Sequence, residues 1–255
     1  MANPTKYLSA IAIAWLAGCA TGTVQQSGAP RIDIDSHVVL ASIARERQNV
    51  AEAADNYLVA ALLSDDPGLA ELATELAHEA NLTELGREAA EHWQMLTPDN
   101  PRVHQYLGAF NLRSGDLDGA VVEFEQILEA TKNHGPALAY LIEFLADESD
   151  SQITTAVVSQ LVANYPGTPE GHYGLARLGL RSGNYQMALE NAERVVELEP
   201  EWVEAQLLYA RMLVITGGTE EGLALAQSIA EEQPELEVHL QYAELLLSAG
   251  RHEPA

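Results

Sequence analysis

Cysteine, basic residues and aromatics are all scarce in this chain, and each shortage closes off a class of function. A single cysteine among 255 residues can form neither an internal disulfide nor a cysteine-based metal site. Only 13 lysines and arginines face 38 aspartates and glutamates, a formal charge of -25. Such a polyanion is repelled by phosphate backbones and anionic lipid head groups, so nucleic acid and polybasic membrane docking are poor fits. Aromatics make up 6%, and the dominance of alanine and leucine favours helices over strands. No nucleophile elbow, phosphate loop, dinucleotide-binding glycine pattern or His-Glu-x-x-His zinc motif occurs. The eight histidines are scattered, and His78, His92 and His104 read as packing or helix-surface residues rather than ligands. The expectation is a protein with no catalytic residue, no cofactor and no metal. Disorder is a poor fit as well, because 47% apolar and 20% charged residues is a globular mix.

What is present begins with an address. Lys6 and the free amine give a positive end, Tyr7 to Leu16 give an apolar stretch too short to span a bilayer, and Leu16-Ala17-Gly18-Cys19 closes the segment. The spacing predicts a signal peptide over 1–18. Leu-Ala-Gly-Cys resembles the lipobox of bacterial lipoproteins, and that resemblance implies a diacylglycerol thioether and an amide-linked acyl chain, such as palmitate, on Cys19. Each buried methylene contributes about 0.8 kcal/mol, and two or more chains make a stable anchor. Ala20 and Thr21 follow the cysteine where an Asp would signal retention, so the resemblance also implies the outer membrane and its periplasmic face. Residues 19–33, rich in small and polar side chains from Ala20 to Pro30, read as a flexible tether. Loss of Lys6 on processing makes the mature chain one charge more negative.

The remainder has a fixed period. Pro166, Pro200 and Pro234 lie 34 residues apart, with Pro98 two periods earlier, and Gly115, Gly183 and Gly217 follow the same rule. Leu112-Arg113-Ser114-Gly115-Asp116-Leu117 is nearly repeated as Leu180-Arg181-Ser182-Gly183-Asn184-Tyr185. A 34-residue period with a mid-repeat Gly and a closing Pro resembles the tetratricopeptide repeat, in which two antiparallel helices form each unit. The resemblance implies an all-α superhelical solenoid with units at 34–66, 67–100, 101–134, 135–168, 169–202 and 203–235, then a half unit at 236–255. Small residues fall where paired helices should touch: Ala41, Gly108, Ala176, Ala210 and Ala243 on first helices, and Ala53, Gly86, Ala120, Ala188, Gly222 and Ala255 on second helices. Larger fillers follow, among them Tyr57, Trp93, Phe124, Val158, Leu161 and Val195. The fourth unit departs from the pattern at Ser149 and Thr154. The apolar stripe of the last half unit, without a polar cap, suggests an array that continues in a longer protein.

In repeats of this kind the first helices line a concave face. The residues pointing into it include Arg45, Arg102, Arg113, Arg177, Arg181 and Arg211, with Tyr173 one turn before Arg177. In so acidic a chain this gathers positive charge in one groove, where guanidinium forks suit capture of a partner's carboxylate. The alternative is local, since Arg45, Arg113 and Arg181 fall in the last turn of a helix, where a cation gains about 0.3 to 1 kcal/mol from the helix dipole.

A lipobox followed by such repeats is similar to outer-membrane lipoproteins that act as adaptors for periplasmic carboxyl-terminal processing proteases, enzymes that degrade peptidoglycan hydrolases. Ala41 to Pro101, with its Asp66-Pro67 turn and its Leu96-Thr97-Pro98-Asp99-Asn100 stop, resembles the start of the longer adaptor type. The resemblance implies a non-catalytic scaffold whose protein partners are a processing protease and cell-wall hydrolases, joined to the membrane by its lipid. A pilus or secretin assembly lipoprotein is the other reading.

Overall fold

The computed structural model describes residues 33–146, 148 and 151–251; the signal peptide, Cys19 and most of the tether lie outside them. Thirteen helices and no strand occur among the described residues. The first helices of successive pairs are α1 (Ile34–Glu46), α3 (Pro67–Glu79), α5 (Pro101–Arg113), α7 (His134–Leu145), α9 (Pro169–Ser182) and α11 (Val203–Thr216). Their partners are α2 (Val50–Leu62), α4 (Thr83–Leu96), α6 (Leu117–Glu129), α8 (Ser151–Asn164), α10 (Tyr185–Leu198) and α12 (Thr219–Glu232), and α13 (Leu236–Ser248) follows. The fold is an all-α tetratricopeptide-repeat solenoid of antiparallel helix pairs. Among the described residues no helix is long and apolar enough to cross a membrane.

Local chemistry sets the helix ends. Pro67, Pro101 and Pro169 stand in the first turn, where a missing N–H costs nothing. The carboxylate of Asp66 and the amide oxygen of Asn100 accept from the N–H groups of Gly68 and Arg102 just behind two of them. Second helices are capped by Asn49, Asp116 and Asn184, which accept from Glu52, Gly119 and Met187. The turn inside a unit needs one residue in the left-handed region. Gly115, Gly183, Gly217 and Gly250 supply it at φ 81°, 76°, 106° and 72°, while Gln48 and Asn81 adopt it without being glycine.

Five helix pairs cross closely on small residues. Ala41, Ala53, Ala120, Ala176, Ala188 and Ala210 are fully buried, and a methyl group on Gly108 would run into the Phe124 ring. Ala243 is the exception: it is exposed, with no second helix beside it among the described residues, and Ala255 lies outside them. The fourth pair is different. One period after Gly108 stands Ile142, and the second-helix position holds Thr154, whose buried hydroxyl has no hydrogen-bond partner. Ile142 is larger than any residue at this register in the five close pairs, where Thr74 is the bulkiest, and its side chain holds the helices apart. Accordingly α7 stands farther from α8 than any other first helix stands from its partner, and α8 lies instead against α6 and α9. The gap is filled by the largest apolar cluster, including Phe124, Leu128, Leu138, Leu141, Leu145, Val158 and Leu161.

Candidate functional site

The seven residues singled out in the sequence all lie on first helices, and the structure divides them. Arg113, at the end of α5, donates from Nε and Nη2 to the two oxygens of Glu148, both at 2.8 Å, and from Nη1 to the carbonyl of His78 at 2.9 Å. The Nε2 of His78 lies 3.2 Å from the same carboxylate and 2.9 Å from Arg113 Nη2, so its tautomer decides which contact it makes. Arg113 and Glu148 keep only 13% and 4% of their side chains exposed. Burial pushes the Glu148 carboxyl up, but hydrogen bonds from His78 and Arg113 and the guanidinium charge outweigh it and hold the group at about 2. Rings seal the cluster: His78 stacks on Phe144 at 5.2 Å and meets Tyr106 edge-on at 5.3 Å. Nearby, Arg102 is paired with Glu71 and Glu75 and lies over Trp93, 5.9 Å from the ring centroid. The groove reading of these two arginines therefore meets partners inside the chain itself. Neither His78 nor Glu148 was legible as a site residue, because the contacts cross two units.

The other arginines are open. Arg177 on α9 reaches Glu143 at only 3.7 Å, with 60% and 73% of the two side chains exposed. Arg45, Arg181 and Arg211 are exposed and make no ion pair among the described residues. Arg177 and Arg181 line a cleft of about 240 Å³ between α7 and α9, whose remaining walls are Ile142, Glu143, Ala146, Gly174, Leu178 and Leu180. Arg211 lines a second cleft of about 370 Å³ between α11 and α13, shared with Glu237, Gln241 and Glu244. Tyr173 is half-buried and tilted against Trp202, with ring centroids 4.6 Å apart. Burial raises its hydroxyl pKa, the Arg177 charge opposes that, and Glu204 adds to it. Trp202, which the sequence did not single out, is the position before α11 and borders a further cleft with Glu204 and Glu235.

Three histidines tie first helices to second helices. His37, His104 and His172 occupy one register and each places Nδ1 against a residue of its own second helix, Asn56, Glu123 and Asn191, at 3.1, 2.7 and 2.9 Å. No cluster of three or more potential metal ligands exists among the described residues.

A tetratricopeptide-repeat array of this kind is a fold for protein–protein interaction. Residues 173–237 match the tetratricopeptide repeat family model. The chain is 25% identical over 214 residues to the TPR repeat-containing protein PA4667 of Pseudomonas aeruginosa, a match covering 81% of this chain and 35% of that protein. The chain thus spans about a third of the length of this curated relative. Solved structures with a similar arrangement include the type IV pilus biogenesis factor PilW, at 14% identity and TM-score 0.42, covering 82% of this chain and 97% of that one. Another is pilF of Pseudomonas aeruginosa, at 12% identity and TM-score 0.42, covering 84% and 97%. At such scores neither bears on what this chain does.

Proposed function

We propose that the chain is a lipid-anchored scaffold at the periplasmic face of the outer membrane, which brings a carboxyl-terminal processing protease together with cell-wall hydrolase substrates. What supports this reading is the conjunction of the lipobox-like Leu16-Ala17-Gly18-Cys19, which ends on the chain's only cysteine, with a repeat array behind it. The likeness of Ala41 to Pro101 to the longer adaptor type supports the choice of partners. Tethering raises the effective concentration of two weakly interacting proteins without any new contact between them.

Reconstitution tests the reading. A purified processing protease and a peptidoglycan hydrolase are incubated with and without the lipidated chain in vesicles, and hydrolase cleavage is followed. The scaffold accelerates cleavage only when protease is present. Unchanged cleavage overturns the protease assignment, and cleavage of the hydrolase by the chain alone overturns the non-catalytic one.

A further inference from the structure

We infer that the exposed face of α1 docks on the lipid surface, its apolar ridge lying at the boundary between head groups and acyl chains. This rests on the lipid-anchored reading and adds a second membrane contact that the anchor alone does not require. Val39 is 56% exposed, Leu40 41% and Ile43 37%. With Ser36 before them and Arg47 after, they recur at three- and four-residue spacing and so share one side of the helix. The opposite side is spent on the fold, where Ala41 and Ala44 are buried in the cluster shared with α2.

The next first helix buries the same face. One unit later, Leu72, Ala73 and Leu76 of α3 stand at the places of Val39, Leu40 and Ile43, and they pack in one cluster with Ala54, Tyr57 and Leu58 of the preceding second helix, α2. No helix precedes α1 among the described residues, so its ridge keeps the apolar side chains without the cover. The terminal face of a repeat array is ordinarily polar for that reason.

Reach and charge select the occupant. Asp33, which caps α1, stands 14 residues after Cys19, and a chain of that length spans at most about 50 Å even when fully extended. An acyl anchor on Cys19 therefore holds α1 beside the bilayer, whatever the rest of the array does. Three partly exposed side chains fall far short of the roughly 1,200 Å² that a stable protein pair buries, whereas a bilayer demands no shape match and the tether has already brought it close. Within 34–47 the charges of Asp35 and Glu46 are balanced by those of Arg45 and Arg47, so this segment escapes the repulsion that an overall -25 brings elsewhere. Arg47 ends the ridge, and its stem can lie along acyl chains with the guanidinium among head groups.

The test attaches the full chain to phosphatidylcholine vesicles that contain a diazirine-bearing phospholipid. Mass spectrometry first reads whether Cys19 is acylated. An unacylated chain defeats the anchor reading and is then coupled through that only thiol to a maleimide lipid, so the docking is measured in either case. On illumination, carbene adducts fall on Val39, Leu40 and Ile43 at about tenfold the yield on Leu240 and Leu247 of α13, which are as exposed but far along the chain from the anchor. Val39→Ser with Ile43→Ser removes the α1 adducts while attachment and helicity stay unchanged. Salt at about 0.5 M does not remove them, because the contact is apolar. Adducts spread equally over α1 and α13, an undiminished yield in the double variant, or loss of the adducts in salt overturns the docking. So does an unlabelled α1, whether bare or covered by a second copy of the chain.

Discussion

Arg113 and Arg181 sit at the same register of nearly identical strings, yet one is sealed and the other open. The difference lies in residues 35 positions to either side. Arg113 finds His78 behind it and Glu148 ahead, whereas Arg181 finds Ala146 and Thr216 at the corresponding places. In a solenoid, residues one period apart stack on neighbouring helices, so the fate of a charge is decided by the adjacent units rather than by its own motif. The α3 to α7 stretch uses its inner face on itself, with three units tied together at one buried carboxylate. The α7 to α13 stretch leaves that face lined by Arg177, Arg181 and Arg211 and by three clefts. A scaffold needs both, because the sealed part fixes the geometry in which the open part is presented.

Substitutions that break the sealed side have the largest expected effect. Arg113→Met strands the Glu148 carboxylate with only His78 beside it, and urea unfolding should show a loss of about 3 kcal/mol. Acid should act on the same group. Its folded-state pKa lies at about 2 against an ordinary 4.5, so the stability it contributes is complete above about pH 5 and is lost as pH falls towards 2. The loss amounts to about 2 to 3 kcal/mol, and Glu148→Gln should abolish this part of the acid response in denaturation profiles taken at several pH values.

Ile142→Ala tests the irregular fourth unit and should cost about 2 kcal/mol, the low end for such a deletion, because the adjoining cleft already interrupts its packing. Converting the open side into the sealed one is the sharpest comparison. Ala146→His with Thr216→Glu gives Arg181 the neighbours of Arg113 and should raise stability to urea by about 0.5 to 1 kcal/mol. The smallest effect on stability belongs to Arg177→Ala with Arg181→Ala. These exposed side chains carry one long ion pair, so unfolding should shift by no more than about 0.5 kcal/mol.

Much of the architecture is legible in the amino-acid sequence. Gly115, Gly183 and Gly217 mark turns because only their freedom suits a positive φ cheaply, and small residues such as Ala41, Gly108 and Ala188 mark crossings because helix backbones meet there. Gln48 and Asn81 make the same turn without the glycine signal, so the period is fainter at that end. Thr154 flagged the fourth unit, but the displacement of α7 depends on Ile142, which looks like any core residue until it is laid against Gly108 and Ala176. The arginines were legible as a set and not as individuals. Their type and helix face follow from the repeat frame, whereas the Glu148 contact needs the linker between α7 and α8 to reach back across two units.

Hydrogen exchange on the lipidated chain, with and without the processing protease and with and without its hydrolase substrate, tests the central claim most directly. The account predicts added protection in α7, α9 and α11, around Ile142, Arg177, Arg181 and Trp202, with the already sealed α3 and α5 unchanged. Protection confined to α3 and α5, or to the second helices α8, α10 and α12, would contradict it.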